Sequence, residues 1–330
     1  MNILDSMDGL ASVPGPLAIA AGVFDGVHHG HRAVLQSALD AAHRMEGSAV
    51  ALTFDPHPAK ILRPDRAPRL LTSTPHKIAL MGGFGIRHVL VIRFDEGFAA
   101  LEAEEFLRRL STSAKKLRSI CVGQGWKFGH DRRGDGNLLR TLGPSLGFET
   151  TEAGPVSIGG SMVSSTRILK AVEAGDLDTA ENLLGRRYSI LGTVRHGDGL
   201  GRQLGFPTAN LAAHNEQFPP DGVYAVRVGA GGQFFSGVAN IGVRPTVQSG
   251  GGRILEVHLL DFSDDLYGKD IEVGFLRFLR PEQNFPDTEA LRRQIALDAE
   301  AARARPNFRI PARSRAGSCT PPACPPRDRR

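Results

Sequence analysis

The sequence predicts a two-part architecture in which a doubly wound α/β domain precedes a small all-β barrel. Three observations support this prediction. The chain has 330 residues, which is enough for two domains with a hydrophobic core each. Between residues 16 and 184, short apolar runs alternate with helix-length amphipathic segments, as in α/β folds with a parallel sheet. Beyond residue 188, the apolar runs are separated only by Gly, Pro and Asp turns, as in β-barrels.

The first half contains four apolar runs that are nearly continuous rather than alternating, as expected of strands buried on both faces of a parallel sheet. These strands are predicted at residues 16–24, 48–54, 88–94 and 118–123. Amphipathic helices are predicted at residues 31–45, 75–84, 103–116, 136–146, 165–174 and 177–184. Such a sheet binds ligands at the carboxyl ends of its strands.

The second half contains five strand-like runs and one closing helix. The strands are predicted at residues 188–194, 222–228, 234–242, 254–262 and 271–279, and the helix at 287–304. The change of pattern places the domain boundary near residues 185–188. The predicted organisation is an α/β domain at 1–185, a barrel domain with a C-terminal helix at 186–310, and a tail at 311–330.

The net charge of +5 is concentrated in the tail. Residues 311–330 contain five arginines and one aspartate, a net +4, which leaves +1 for the first 310 residues. This Pro-rich, basic tail is predicted to be disordered, and no basic face for nucleic acid is expected on the folded part. The longest apolar runs have the length of strands, far short of a membrane span. No leader is recognised, so a cytoplasmic protein without membrane contacts is expected.

The cysteines predict neither a disulfide framework nor a structural metal site. Cys121 lies in the apolar run “SICVG” and is expected to be a buried strand residue. Cys319 and Cys324 lie in the tail and lack the second cysteine or histidine pair of a zinc site.

The segment “GVFDGVHHGH” at residues 22–31 contains three histidines where the first predicted strand ends. His28 and His31 are three positions apart and therefore project to one side of the first turn of the following helix. Gly30 allows a ligand to approach the backbone, and the helix N-terminus offers free N–H groups and a positive potential. These features together indicate a phosphate cradle.

Two other interpretations of this segment are possible. The histidines could be merely polar turn residues, which their position at the carboxyl end of a strand disfavours. They could also be zinc ligands, with His57 of “TFDPHP” as a third ligand, but zinc-binding histidines are normally supported by carboxylates. The phosphate interpretation accounts for every feature and is favoured.

The H-x-G-H pattern at 28–31 is the signature of the nucleotidyltransferase superfamily. Together with “TFDPHP” at 53–58 and “VSSTRI” at 163–168, the segment resembles the adenylyltransferase half of bacterial bifunctional riboflavin kinase/FAD synthetases. The resemblance implies a Rossmann-like nucleotidyltransferase domain that adenylates FMN with ATP and Mg²⁺, without a covalent intermediate.

The same resemblance implies roles for individual residues. His28 and His31 are expected to be catalytic, binding the ATP phosphates and stabilising the charge that develops at the α-phosphoryl group. Further nucleotide-binding residues are expected in the first loop and in a second phosphate-binding segment, the clamp, which is formed by “SSTR” at residues 164–167 at the start of a helix. Ser and Thr would also serve there as ordinary N-caps. The expected residues are Gly22, Phe24, Asp25, Gly30, Ser164, Ser165, Thr166 and Arg167. Flavin-binding residues are expected in the loop formed by Pro56, His57 and Pro58. The alternative is that the two prolines only make this loop rigid.

Two positions depart from the family pattern. The clamp of the family usually ends with an arginine, where this chain has Leu169. The family also tends to have Asp or Asn before the aromatic residue of its “VG-x-D/N-F-x-F-G” stretch, where this chain has Gly125 followed by Trp126. Adenylyl transfer is therefore the activity that these departures affect.

In the second half, the stretch “GDGLGRQLGFPTANL” at residues 197–211 combines a Gly-rich turn with two small polar residues. The glycines alone indicate no more than a hairpin turn. Thr208 and Asn210 are two positions apart, so on an extended segment both point the same way. Their hydroxyl and amide oxygens are hard donors, suited to Mg²⁺ that also carries nucleotide phosphates.

The stretch “LEVHLLDF” at residues 255–262 alternates in the manner of a half-buried strand. Leu255 and Val257 lie on one face, and Glu256 and His258 on the other. A glutamate on a strand is usually just solvated, but in a cleft Glu256 would be a general base for a primary alcohol.

These stretches, with “PDGVYAV”, “GVANIGVRPT” and “LYGKDIEVGFLRFLRPEQNF”, resemble the riboflavin kinase domain almost end to end. The resemblance implies that Glu256 is the catalytic base toward the ribityl 5′-hydroxyl and that Thr208 and Asn210 bind Mg²⁺ with ATP. Asn284 replaces a common lysine of the family, with a mild effect expected. Nucleotide-binding residues are expected in the Gly-rich turn: Gly197, Gly199, Gly201, Arg202 and Gly205.

The resemblance covers residues 15–305 and implies an enzyme of two activities, with riboflavin, FMN, FAD and ATP as substrates and products. Two alternatives are compatible with the sequence. One is a kinase whose adenylyltransferase half is weakened or lost, and the other is a flavin-binding regulator without turnover. The sequence does not indicate the oligomeric state.

Overall fold

A computed structural model of the chain describes residues 1–197, 201, 204–243 and 253–303. Two predicted nucleotide-binding residues, Gly199 and Arg202, lie outside the described residues, as do Cys319, Cys324 and the whole tail at 311–330.

The first half is built on a six-stranded parallel sheet with the strand order β1-β4-β3-β2-β5-β6. Its strands are β1 (Asn2–Leu4), β2 (Leu17–Ala21), β3 (Ser48–Asp55), β4 (His88–Arg93), β5 (Leu117–Gly123) and β6 (Glu149–Ala153). Consecutive residues of β2, such as Ile19 and Ala20, are fully buried and belong to different apolar clusters. The sheet is thus covered on both faces, which confirms the Rossmann-like α/β prediction.

The four predicted strands are confirmed as β2 to β5, and the two unpredicted strands, β1 and β6, are the edges of the sheet. β6 has the sequence “ETTEA” and no buried residue, so it lacks the apolar run by which the inner strands were identified. β2 ends at Ala21 instead of residue 24 because Phe24 adopts a positive φ of 56°, which an extended strand does not allow.

Eight α-helices are described in this half: α1 (His29–Arg44), α2 (Pro58–Leu62), α3 (Thr74–Phe84), α4 (Glu96–Ala99), α5 (Ala103–Ser113), α6 (Gly136–Leu146), α7 (Ser165–Glu173) and α8 (Leu177–Leu184). All six predicted helices are present, and the short α2 and α4 were not predicted. α5 ends at Ser113 rather than Lys116, because the chain turns at Ala114, whose carbonyl accepts the Leu117 N–H at 2.6 Å, and enters β5.

The second half is a closed antiparallel barrel of six strands in the order β10-β13-β12-β11-β14-β9. Its strands are β9 (Ser189–Arg195), β10 (Ala209–Ala213), β11 (Gly222–Ala230), β12 (Gln233–Val243), β13 (Arg253–Leu259) and β14 (Asp270–Arg280), and a last helix, α9 (Thr288–Arg303), packs against β11 and β12. A hairpin of β7 (Ser157–Ile158) and β8 (Ser161–Met162) precedes α7. The barrel and the closing helix confirm the prediction, whereas β10, within the “PTANL” stretch, was not predicted as a strand.

The two halves share one apolar cluster. Residues of α7 and α8, such as Ile168 and Leu184, are fully buried together with barrel residues such as Ile190 and Phe275. Leu71, from the segment before α3, belongs to the same cluster. The helices that close the α/β half therefore pack directly on the barrel.

Candidate active sites

The loop after β2 lies where the strand order of the parallel sheet reverses. β2 pairs with β3 on one side and with β5 on the other, so the loops after β2 and β5 flank a crevice of the kind that binds nucleotides in open α/β sheets. The first loop holds the predicted phosphate cradle at residues 22–31. The second holds the “VGQGWKFG” stretch at 122–129.

His28 and His31 face each other at the start of α1. Their ring centroids are 3.6 Å apart with an interplanar angle of 16°, and the His31 backbone N–H donates to Nδ1 of His28 at 3.3 Å. This cap is why α1 begins at His29, earlier than predicted. A Cβ atom on Gly30 would lie 3.1 Å from the His28 ring, so glycine brings the backbone close to the imidazoles. His29 instead lies next to Gly185.

The turn before these histidines has a strained backbone and is fixed by hydrogen bonds to another segment of the chain. Phe24 and Val27 are buried and have positive φ angles of 56° and 41°, which are uncommon for bulky residues. Between them, the buried Asp25 carboxylate accepts hydrogen bonds from the backbone N–H groups of Leu71 and Thr72 at 3.1 and 2.9 Å. The carboxylate of Asp25 therefore fixes the loop, and its nucleotide-binding role stays a prediction.

Both histidines are neutral in the free protein. Burial, followed by the positive charge of Arg186, lowers the pKa of His28 to about 4. Burial also holds the pKa of His31 well below its usual range. At neutral pH each imidazole can donate only one hydrogen bond, so the fixed positive charge for a phosphate must come from other groups.

The predicted clamp lies beside the first loop. Ser165 Oγ donates to the Asp25 carbonyl at 3.0 Å, and the Val163 carbonyl is 3.8 Å from the position that a Cβ atom on Gly30 would occupy. Ser164 caps α7, because its Oγ accepts the Arg167 N–H at 3.3 Å. The structure thus brings the two predicted segments together, and Ser164 acts as a helix cap in addition to any contact with nucleotide.

The remaining clamp residues have different surroundings. Arg167 Nη1 donates to the carbonyls of Ile158 and Ser161, each at 3.0 Å, and so ties the hairpin of β7 and β8 to α7. Thr166 is exposed. Leu169, at the position where the family has arginine, packs against the apolar cluster shared by the two halves. It supplies packing there and no positive charge.

Lys77 is a buried cation at this site that the sequence reasoning missed. Its Nζ donates to the carbonyl of Val23 at 3.0 Å, just beyond β2, and is 3.5 Å from the carbonyl of Phe54 in β3. Burial lowers the pKa of Lys77 to about 8, against the opposing effect of the Asp25 and Asp55 carboxylates. The available signal was a charged residue in “TPHKIALMGGF”, an otherwise largely apolar helix.

We expect Lys77 to make stability depend on pH. Its pKa is lower in the folded protein than in the unfolded chain, so the folded state binds fewer protons between about pH 8 and pH 10.5. The wild-type free energy of unfolding should therefore rise relative to that of Lys77→Met across this window, by up to about 3 kcal/mol. Urea unfolding at several pH values measures this difference. The exposed Lys170→Met variant is the control, and parallel curves for Lys77→Met and wild type would contradict the expectation.

A cleft of about 860 Å³ opens beside the crevice. His57 and Pro58 line one wall, and Trp126 and Phe128, stacked with centroids 4.7 Å apart, line another. His57 also caps α2, since its Nδ1 accepts the Ala59 N–H at 3.1 Å. Pro56 directly precedes these residues. The cleft has the flat aromatic and apolar walls that a ring system such as a flavin requires.

Gly125 lines the same cleft with a φ angle of +78°, and a Cβ atom there would meet nothing within 4 Å. Asn and Asp tolerate this backbone region better than other side chains do. The family's usual polar residue would thus fit without a clash and project into open space. Its absence removes one polar group from the wall of the cleft.

The zinc interpretation requires a third ligand near His28 and His31. Within the described residues, no group of three or more His, Cys, Asp or Glu side chains is arranged to hold a metal ion. Cys121 is a free, buried residue of β5.

In the barrel, the pairing of strands places three polar residues in one row. Asn210 of β10 pairs with Glu256 of β13, and Glu256 pairs on its other side with Asn240 of β12. Directly opposed residues point to the same face of a sheet. The alternation predicted for β13 is confirmed, because its leucine and valine residues are buried and Glu256 and His258 are half-buried.

Glu256 and Asn240 of this row line a pocket of about 570 Å³ between the barrel and α9, whereas Asn210 is not among its lining residues. The pocket is lined by the predicted residues Gly201, Thr208 and Glu256 and by two that were missed, Asn240 and Glu282. Asn240 Nδ2 donates to Glu282 Oε1 at 2.9 Å. Apolar residues of β11, β12 and α9 complete the wall, so the pocket offers one polar and one apolar side.

The residues predicted to bind Mg²⁺ fit that ion. A Cβ atom on Gly197 would overlap the Asn210 amide, and one on Gly201 would come within 3.0 Å of Thr208 Oγ1. The Gly-rich turn therefore packs directly on the two donors. Asn210 also pairs with Glu256 of β13. Hydroxyl and amide oxygens are hard donors, which Mg²⁺ takes when phosphates supply its other ligands.

Two family models match the chain, and together they span most of it. The model for FAD synthetase matches residues 11–167, and the model for riboflavin kinase matches residues 184–305. Within the described residues, every helix is too short or too polar to span a bilayer.

Several curated proteins resemble the chain over nearly its whole length. The bifunctional riboflavin kinase/FMN adenylyltransferase of Escherichia coli K12 is 40% identical over 92% of this chain and 97% of its own. Those of Pseudomonas fluorescens and Haemophilus influenzae are 42% and 38% identical, over 86% and 92% of this chain and 91% and 99% of their own. A crystal structure described as a macrolide-efflux protein from Streptococcus pneumoniae is 26% identical, with a TM-score of 0.77 over 93% of this chain and 100% of that one. This last likeness concerns the fold.

Proposed function

The chain belongs to the family of bifunctional riboflavin kinase/FMN adenylyltransferases, and from this premise we propose which residues carry each of its two reactions. It is a transferase that makes FMN from riboflavin and ATP, and FAD from FMN and ATP. The observation that best supports our assignment is the presence of two separate clefts. One reaches Val23, in the segment that carries His28 and His31, and the other contains Glu256 in the barrel.

In the kinase reaction, Glu256 is the proposed general base. It accepts the proton of the ribityl 5′-hydroxyl as that oxygen attacks the γ-phosphorus of ATP, and ADP leaves with the electrons of the broken P–O bond. The pairing of Glu256 with Asn240 supports this role, because both residues line the polar side of the pocket. The apolar side, completed by α9, suits the isoalloxazine ring.

Thr208 and Asn210 are the proposed residues that hold Mg²⁺ with ATP, beside the Gly-rich turn. When bound, the ion would neutralise part of the phosphate charge. The glycines of the turn have a separate role. Gly197, Gly201 and Gly205, which has a positive φ of 85°, let the backbone follow the phosphates closely.

In the adenylyl reaction, His28 and His31 are proposed to donate hydrogen bonds to the phosphates of ATP. A phosphate oxygen of FMN attacks the α-phosphorus, and pyrophosphate leaves with the electrons of the broken bond, so positioning and charge stabilisation suffice. The proximity of Ser165 to the Asp25 carbonyl supports a nucleotide bound between α1 and α7. The aromatic cleft at Trp126 would hold the flavin. Since both reactions consume ATP, we place the enzyme in the cytoplasm.

The product pattern tests this assignment. We expect the purified chain, given riboflavin, ATP and Mg²⁺, to form FMN first and FAD later, and to form FAD alone from supplied FMN. Chelation of Mg²⁺ should stop both reactions, and added Mg²⁺ should restore both. Chromatographic separation of the two flavins measures this. Formation of FMN without FAD would contradict the adenylyl assignment, and persistence of either reaction in chelator would contradict the metal assignment.

A further inference from the structure

Two adjacent arginines, Arg186 and Arg187, follow α8 where the chain passes from the parallel sheet to the barrel. They lie outside residues 11–167, which match the FAD synthetase model, and inside residues 184–305, which match the riboflavin kinase model. Their surroundings differ. Nε and Nη1 of both side chains are buried without a hydrogen-bond partner among the described residues. Arg187 nevertheless forms ion pairs with Asp178 and Glu181 of α8, whereas Arg186 forms no ion pair with a described residue.

The segment that carries Arg186 packs against the His28–His31 motif. The Gly185 carbonyl accepts a hydrogen bond from Arg32 Nη1 at 3.4 Å, and a Cβ atom on Gly185 would come 2.6 Å from the His29 ring. Leu184 lies 3.5 Å from the position that a Cβ atom on Gly26 would occupy. The end of α8 and the residue that directly precedes Arg186 therefore touch both the strained turn and the first turn of α1.

Arg186 is charged, half-buried and incompletely paired. In the part of the chain that the structure describes, its Nε and Nη1 atoms are buried without a hydrogen-bond partner. Burial lowers its pKa to about 10, so the guanidinium remains positive at neutral pH. Its charge acts on both His28 and His31, whose pKa values it lowers. A buried cation with unused donors is costly in a folded protein unless a ligand completes its hydrogen bonds.

The unused donors match what the adenylyl site lacks. The two histidines are neutral, and a guanidinium presents its N–H groups in a fork that fits phosphate oxygens. We propose that Arg186 binds the triphosphate of ATP in the adenylyl site and stabilises the pyrophosphate as it leaves, so that the kinase half supplies a cation to the other reaction. This inference rests on the proposed assignment of His28 and His31 to the ATP phosphates.

A structural role is the competing explanation, since Glu272 of β14 is also drawn to Arg186 electrostatically. Glu272 already accepts a hydrogen bond from Ser189 at 2.6 Å and lies 3.2 Å from His76. If Arg186 served only to hold the two halves together through Glu272, its replacement would lower stability and both activities alike. A phosphate ligand would affect one activity alone.

The test compares Arg186→Gln and Arg186→Lys with the matched control Arg187→Gln. Three quantities are measured on the full chain: kcat and KM for FAD formation from FMN, inhibition of that reaction by inorganic pyrophosphate, and FMN formation from riboflavin. For Arg186→Gln we expect about a 100-fold loss of adenylyl kcat, at least a 10-fold weaker inhibition by pyrophosphate, and kinase activity within twofold of wild type. Arg186→Lys should recover part of the loss, and Arg187→Gln should leave all three quantities nearly unchanged.

Two outcomes would overturn the proposal: unchanged adenylyl kinetics and pyrophosphate inhibition in Arg186→Gln, or equal losses of the adenylyl and kinase activities in Arg186→Gln. The assignment of the histidines fails separately. A His31→Gln variant with full adenylyl activity would refute that assignment, whereas an impaired His31→Gln beside a fully active Arg186→Gln would refute only the role of Arg186.

Discussion

The variant Glu256→Gln is expected to form FMN about 10²- to 10⁴-fold more slowly than wild type, because an amide cannot accept the proton of the attacking hydroxyl. FAD formation from supplied FMN should be unchanged, since Glu256 lies in the barrel pocket and the adenylyl cleft is built on the parallel sheet. Initial rates of both reactions on the same preparation measure this. The unaffected adenylyl reaction also shows that the variant is folded.

Glu282→Gln is the matched control for this variant. Glu282 lines the same pocket and accepts a hydrogen bond from Asn240, but it does not belong to the row of paired strand residues. We expect it to alter the KM for riboflavin more than kcat. If kinase activity survived in Glu256→Gln and collapsed in Glu282→Gln, the base would be Glu282 and our assignment would be wrong.

The variant His31→Gln is expected to lower kcat for FAD formation by about 10²- to 10³-fold, the usual cost of removing one donor to a developing charge. His31 is preferable to His28 for this experiment because the His28 ring also caps α1. Kinase activity should remain near that of wild type. Steady-state rates with supplied FMN and, separately, with riboflavin measure the two effects.

His29→Gln is the control, because His29 belongs to the same helical turn but lies beside Gly185. It should retain adenylyl activity within a few-fold of wild type. Equal losses in His29→Gln and His31→Gln would mean that the helix start as a whole, and not the H-x-G-H pair, had been disturbed.

The parts of the fold that the sequence predicts are those with a continuous local signal. β2 to β5 are buried on both faces, so each appears as an apolar run. The edge strand β6 pairs with β5 although its five residues are polar or half-exposed, and tertiary contacts with β5, α6 and α1 stabilise it. β10 was likewise missed, because its short “ANLAA” sequence follows a Pro-containing turn and carries a single buried residue.

The candidate sites divide in the same way. His28 and His31 are predictable because their spacing, the glycine between them and the preceding strand all lie within ten residues. Lys77 belongs to a helix and Arg186 to a connecting segment, both distant in sequence from the histidines, and the fold brings both residues to the adenylyl site. An arginine after a helix resembles a solvated linker residue, and only tertiary packing reveals that its Nε and Nη1 atoms are buried.

The hydrogen bonds of Asp25 have a consequence for any attempt to divide the protein. Asp25 holds the backbone of Leu71 and Thr72, while the Leu71 carbonyl accepts from Asn215 of the barrel half at 2.6 Å. The segment of Leu71 and Thr72 is thus hydrogen-bonded to both halves. A cut after Gly185 would place its two partners, Asp25 and Asn215, on different polypeptides. Each fragment would also present to water the apolar surface that now lies between them. Separate expression of the two activities therefore requires redesign of these hydrogen bonds and of the apolar interface between the halves, in addition to a choice of cleavage site.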